Sequence, residues 1–222
     1  MLNTAITHRP IQWSCFMAVL FFTSVCAQDS LVTKLLDPQL SRGKPLMQVL
    51  KERKSSREFS PQELPAQELS NILWAAFGIN RPETGGRTAP SAMNMQEIDV
   101  YAILAEGLYR YEAKTHALKR IHGNDIRALA GKQPFVKDAP VNIVMVADYS
   151  RTTKASQDRK NVYANADAAY ISENIYLYCA SEGLATVVRA SVDRQALAKA
   201  MHLGPDQEII FAQTVGYPKG SR

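Results

Sequence analysis

Residues 53–59, Arg-Lys-Ser-Ser-Arg-Glu-Phe, gather three cations around a serine hydroxyl. Guanidinium forks match the oxygens of a phosphate monoester, and a hydroxyl adds a further hydrogen bond. The cluster falls where an apolar-periodic helix ends. From near Pro45, the residues Leu46, Val49 and Leu50 mark an i, i+3, i+4 stripe, and Arg53 takes its i+7 position. An arginine on a core-facing stripe is costly unless an anion meets it. The same residues also suit a solvated basic helix end favoured by the macrodipole, and this stretch alone leaves both readings open.

A second stretch, Arg-Thr-Ala-Pro-Ser-Ala-Met-Asn-Met-Gln-Glu at 87–97, precedes a strand-like run. Pro90, Ser91 and Ala92 are compact and turn-forming, and their small side chains let a flat ligand lie against the backbone. Asn94 offers a donor and an acceptor to the edge of a heterocycle. An ordinary loop feeding a strand is the plainer account.

Taken together, Arg-x-Ser-x-Arg-x-Phe and Pro-Ser-Ala-x-Asn-x-Gln resemble the FMN-dependent nitroreductase superfamily. The block Leu73–Arg81, and Gly107–Tyr111 followed by His116-Ala117-Leu118, are similar to the small single-domain members grouped with the azoline-forming peptide dehydrogenases. The resemblance runs from about Pro45 to Pro218. It implies an α+β fold, a central and largely antiparallel sheet flanked by helices, and an intertwined homodimer with FMN at its interface. It places Arg53 and Ser55 at the phosphate, with Lys54 contributing through backbone or side chain. Arg57 falls near N1 and O2 of the isoalloxazine, where a cation stabilises reduced flavin. Pro90, Ser91, Ala92 and Asn94 follow the ribityl chain and pyrimidine. Val188, Arg189, Ala190 and Ser191 face flavin N5, although many relatives carry an acidic residue or glycine there. Lys219 and Arg222 stand where relatives send a basic pair to the phosphate.

Several chemistries lack their sequence signs. No Gly-x-Gly-x-x-Gly follows a strand, and neither a Walker sequence nor Gly-x-Ser-x-Gly occurs. His116, His122 and His202 have no paired metal spacing and read as turn or surface residues. With no acid–base or nucleophile constellation, a bound cofactor must carry the chemistry.

Residues 1–27 read as a signal peptide. Arg9 gives a weak positive region, Ile11–Val25 is apolar, and Val25-Cys26-Ala27 suits cleavage before Gln28. Lipidation at Cys26 fits less well because Val25 is bulky, and the run is short for a membrane span. Removing this segment lowers the formal charge from +5 to +4. That mild, diffuse basicity suits a phosphorylated cofactor and does not point to nucleic acid. Cys179 then remains as the sole thiol, read as buried packing.

The elements that must position these residues follow from periodicity. Residues 28–44 read as an extended leader, and 45–222 as one FMN-binding domain. Helices are expected from about Pro65 to Phe77, over Asp125–Gly131 with Asn124 as its cap, from about Tyr163 to Glu182, and from the Asp193 cap to Met201. Strands are expected at Ile98–Ala105, Leu108–Glu112, Leu118–Ile121, Val141–Asp148, Ala185–Ala190 and Ile209–Tyr217. Asn80–Ala89 and Ser150–Asn161 read as polar loops. On the longest helix, Tyr170, Ile171, Ile175, Tyr178 and Cys179 mark one face, and four alanines make its first half slim.

The sequence therefore reads as an exported, periplasmic or secreted FMN-dependent oxidoreductase. Two electrons would pass to or from a small quinone-like or nitroaromatic-like substrate. Dehydrogenation of modified peptide rings and non-catalytic FMN binding are the alternatives. NAD(P)H is scarce outside the cytoplasm, so an organic substrate or a redox partner is the expected electron donor or acceptor.

Overall fold

The computed structural model describes Met1 and residues 31–220; the expected signal segment and Arg222 lie outside the described residues. Seven strands form one sheet, entirely antiparallel. In chain order these are β1 (Val32–Lys34), β4 (Ile98–Leu104), β5 (Gly107–Glu112), β6 (Ala117–His122), β7 (Val141–Asp148), β8 (Ala185–Arg189) and β9 (Gln207–Gly216). Across the sheet they run β1-β6-β5-β4-β7-β9-β8. Every residue of β7 but Asp148 is buried, which is why that strand reads as a continuous apolar run.

Helices α1 (Leu46–Glu52), α2 (Ala66–Phe77), α3 (Phe135–Asp138), α4 (Gln157–Glu182) and α5 (Arg194–Ala200) cover the faces. On one face α2 and α4 pack over Ile98, Val100, Ala102, Ile143 and Met145. On the other, Leu197 and Met201 at α5 and Val136 of α3 cover Ile103, Val144, Val146 and Ala212. α4 buries Ala164, Ala168, Ile171, Ile175 and Cys179, a helical stripe of steps of three and four. Gly183 ends it in the left-handed conformation (φ 73°), and Leu184 N–H reaches back to Cys179 O at 2.8 Å. Burial pushes the Cys179 thiol upward, so it is packing rather than a nucleophile.

Several expectations change. Asn80–Ala89 holds a small hairpin of β2 (Ile79–Arg81) and β3 (Gly86–Arg87). Arg87 folds back to donate to Phe77 O and lies over the Phe77 ring, closing that hairpin on the end of α2. α4 begins at Gln157, so the loop expected at 150–161 is half helix; its first turns face solvent and carry no apolar period. Asn124 caps nothing: a 3-10 turn spans Arg127–Ala130, with the Asp125 carboxylate accepting from Arg127 N–H. The α1 stripe is not core-facing. Only Val49 is buried, while Leu46 and Leu50 are exposed. Tyr170 likewise faces outward. The leader supplies β1, and Arg42 joins it to α2 and α4 through Glu68 and Glu182, each at 2.7 Å.

His116 sits at a turn, as expected, and is held there. Its ring contacts Ser70 Oγ at 2.8 Å, Leu36 O at 2.9 Å and Tyr111 OH at 2.9 Å. Among the described residues no group of three or more His, Cys, Asp or Glu is arranged to hold a metal, and no helix is long and apolar enough to cross a membrane.

Candidate functional site

The chain leaves α1 at Arg53 in extended conformation (φ −55°, ψ 123°). It then runs beside the last strands. Ser56 N–H donates to Thr186 O at 2.9 Å, Ser60 N–H to Tyr217 O at 2.9 Å, and Lys219 N–H to Glu58 O at 3.2 Å. Lys219 therefore lies beside the basic segment, its side chain in solvent. Lys54 and Ser56 line a pocket of about 450 Å³ with Tyr176, Thr186 and Pro218, and Arg53, Ser55 and Arg57 do not. That is the alternation expected of extended backbone, and it leaves Lys54 able to join the other three only through its main chain.

Tyr176 on α4 gathers this segment. Its hydroxyl meets Ser55 Oγ at 2.8 Å and accepts from Val188 N–H at 3.0 Å, while the Arg53 guanidinium lies 5.3 Å from its ring centroid. One phenol thus fixes the serine of the basic motif, a cation and the strand β8. No carboxylate pairs with Arg53, Lys54 or Arg57 among the described residues. Arg53 and Ser55 meet at Tyr176, Arg57 follows on the same side of the extended segment, and a phosphate is the complement these cations lack.

The Arg189 side chain turns away from Val188. It is buried on the opposite face of β8, donating to Thr214 Oγ1 (2.6 Å), Asn142 Oδ1 (3.1 Å) and Ala130 O (3.1 Å). Burial lowers its pKa to about 10. A ligand beside Val188 can meet only the main chain of Arg189. Ala190 and Ser191 are exposed just beyond it.

The Pro90–Asn94 segment is a tight loop. Pro90 and Asn94 are exposed, Ser91 and Ala92 partly buried. Met93, Asn94 and Gln96 all have positive φ, at 51°, 52° and 50°, a left-handed cluster that non-glycine residues adopt only when held. Ala92 N–H donates to Asp167 Oδ2 of α4 at 2.9 Å. Ser91 Oγ accepts from Gln96 N–H at 2.8 Å and reaches Glu97 Oε2 at 3.4 Å. From Asp167 to Tyr176 is about two and a half turns of helix, or roughly 13 Å. Within one chain the loop and the basic segment therefore attach to α4 at separate heights.

Three supporting residues escaped the sequence reading: Tyr176, Asp167 and Glu97. Tyr176 lies off the apolar stripe of α4. Asp167 did leave a sign, as a lone carboxylate among alanines 164, 166, 168 and 169.

The sequence profile of the nitroreductase family matches residues 50–217. A protein of Methanocaldococcus jannaschii described as a nitroreductase is 35% identical over 152 residues, covering 64% of this chain and 76% of its own. A crystal structure of a protein from Ralstonia eutropha JMP134, also described as a nitroreductase, is 43% identical with a TM-score of 0.82, over 86% of this chain and 91% of that one. The McbBCD microcin synthetase of E. coli, solved with truncated pro-MccB17 bound, shares the fold at 18% identity and a TM-score of 0.67, over 91% of this chain and 84% of that one. With this sheet, these two motifs and these relatives, the chain belongs to the nitroreductase family and is an oxidoreductase.

Proposed function

We propose that the chain is an exported FMN-dependent oxidoreductase that works as a homodimer on a small quinone-like or nitroaromatic-like substrate. One observation carries the cofactor: Arg53, Ser55 and Arg57 stand in a segment whose cations pair with no carboxylate among the described residues and whose serine and β8 neighbour are fixed by Tyr176. Their chemistry fits a flavin phosphate. Arg53 and Ser55 hold the phosphate, Arg57 the pyrimidine edge, and the loop at Pro90, Ser91, Ala92 and Asn94 the ribityl chain and ring. Val188 to Ser191 offer main chain to the reacting side. Bound FMN supplies two-electron transfer at N5. The protein's part is to bind it, orient it and leave one face open; no side chain is assigned as acid, base or nucleophile.

Two features support the dimer. Leu46, Met47 and Leu50 on α1 and Val162 and Tyr170 on α4 expose apolar surface. The two halves of the site also attach to α4 at different heights, at Asp167 and Tyr176, which leaves room for a second copy to supply one of them. If the chain is exported, NAD(P)H is not its everyday donor, and an organic substrate or redox protein takes that place.

The test is absorbance of protein incubated with FMN and desalted. Flavin bands persist in the wild type and vanish in Arg53→Ala/Arg57→Ala. Equal retention in the variant would remove the phosphate assignment. Retained flavin without turnover of quinones or nitroaromatics would make the protein an FMN binder instead of an enzyme.

A further inference from the structure

Glu97 is fully buried at the head of β4, and Asp167 is 2% exposed on α4. The two carboxyl groups are held at adjacent residues of one loop, Asp167 Oδ2 by Ala92 N–H at 2.9 Å and Glu97 Oε2 by Ser91 Oγ at 3.4 Å. Glu97 Oε1 finds no donor among the described residues. An oxygen facing another carboxyl makes a bond only if one of them carries a proton, and two charged carboxylates side by side in a dry interior repel strongly.

The surrounding charges do not relieve this. Arg151, after β7, reaches the main-chain carbonyl of Glu97 at 2.8 Å; its charge is committed to Asp99 of β4 at 2.9 Å and Asp148 of β7 at 3.6 Å. Tyr149 feels the charge of Glu97 and is bound to Glu208 of β9. Arg87 of β3 is engaged by Gln96 Oε1 and Phe77 O. No cation among them meets either carboxyl.

We propose that Glu97 donates a proton from Oε1 to Asp167, and that this bond pins the left-handed loop 91–96 to α4 and releases it when the proton leaves. The loop is strained at three non-glycine residues and is tied to the helix through Ala92 N–H on the same Asp167. Ionising Glu97 sets a second negative charge against the group that holds the loop. Burial raises the Glu97 pKa, and the Asp167 charge and hydrogen bond add to that. The bond is therefore complete in the ordinary carboxylate range and lost as pH climbs through the raised value. Glu97 and Asp167 are positioning residues. Their bearing on FMN rests on the function proposed above, whereas the latch itself does not.

Amide hydrogen exchange of flavin-free protein tests it across pH, corrected for intrinsic exchange. Within the window between the ordinary and the raised pKa, opening releases one proton. Protection of the Ala92 and Gln96 amides then falls about tenfold per pH unit. Glu97→Gln keeps a donor toward Asp167 and loses the charge, so its protection is flat with pH; Asp167→Asn, which can still accept from Ala92 and donate to Glu97, is flat as well. A pH-independent wild type, or variants that keep the wild-type slope, would overturn the latch. FMN titrations on the same samples separate the two ideas. Affinity that weakens with pH in the wild type and not in Glu97→Gln joins latch to cofactor. Failure to bind FMN at any pH sinks the proposed function while exchange still decides the latch.

Discussion

Tyr176 does most to hold the candidate site together, although it has no charge and lies off the apolar stripe of its helix. Its hydroxyl is shared by Ser55 Oγ and Val188 N–H, so Tyr176→Phe leaves the strand amide without its acceptor. A buried donor left unpaired costs about 1–3 kcal/mol, which a urea midpoint reads directly. The loosened Ser55 should weaken FMN by about three- to tenfold, since one neutral hydrogen bond contributes about 0.5–1.5 kcal/mol. Fluorescence titration that found an unchanged Kd would show that Tyr176 only packs. Arg189 illustrates the opposite case. Chain order and the resemblance put it at the flavin, yet strand alternation sends its guanidinium to Thr214, Asn142 and Ala130 instead. Which face of a strand a residue takes depends on register, and register is a tertiary property.

Among the elements, those buried on both sides were legible. β7 appears at Val141–Asp148 as its apolar run predicts, and Asp193 caps α5 by accepting from Ala196 N–H at 3.1 Å. What periodicity missed was structure that faces solvent or is held by side chains: the first turns of α4, and the β2–β3 hairpin that Arg87 ties to α2. The basic segment could be read because its chemistry is local. The carboxyl pair could not, since Glu97 and Asp167 are far apart in the chain and look solvated there. The β4–β5 turn was legible from Glu106-Gly107, and the structure gives the reason. Gly107 has φ +142°, and an added Cβ would overlap the carbonyl oxygen of His122 on β6. Gly107→Ala must either bend that hairpin or push β6 away. We expect a loss of about 1–3 kcal/mol, the usual cost of a forced backbone conformation, read as a lower urea midpoint with an unchanged slope. A midpoint equal to the wild type would mean that the turn has slack the backbone does not suggest.

At the scale of the whole molecule, the apolar faces of α1 and α4 argue that one chain is not the working unit. Leu46, Met47 and Leu50 are 62%, 76% and 47% exposed, and Met93 on the candidate flavin loop is exposed as well. Each leucine gains about 1.5–3 kcal/mol on full burial, so an interface covering α1 has a driving force that water on that surface does not supply. The proposed dimer would unite a basic segment of one copy with a Pro90–Asn94 loop of the other at this interface. Oligomeric state and cofactor binding should then fail together. Leu46→Glu/Leu50→Glu puts two charges on the exposed α1 stripe and replaces neither Arg53, Ser55 nor Tyr176. We expect the wild type to sediment as a dimer. The double variant should sediment as a monomer with unchanged far-ultraviolet circular dichroism and little FMN retained after desalting. A monomeric wild type that still holds FMN would show that the site is complete within one chain, and that the exposed stripe serves another contact.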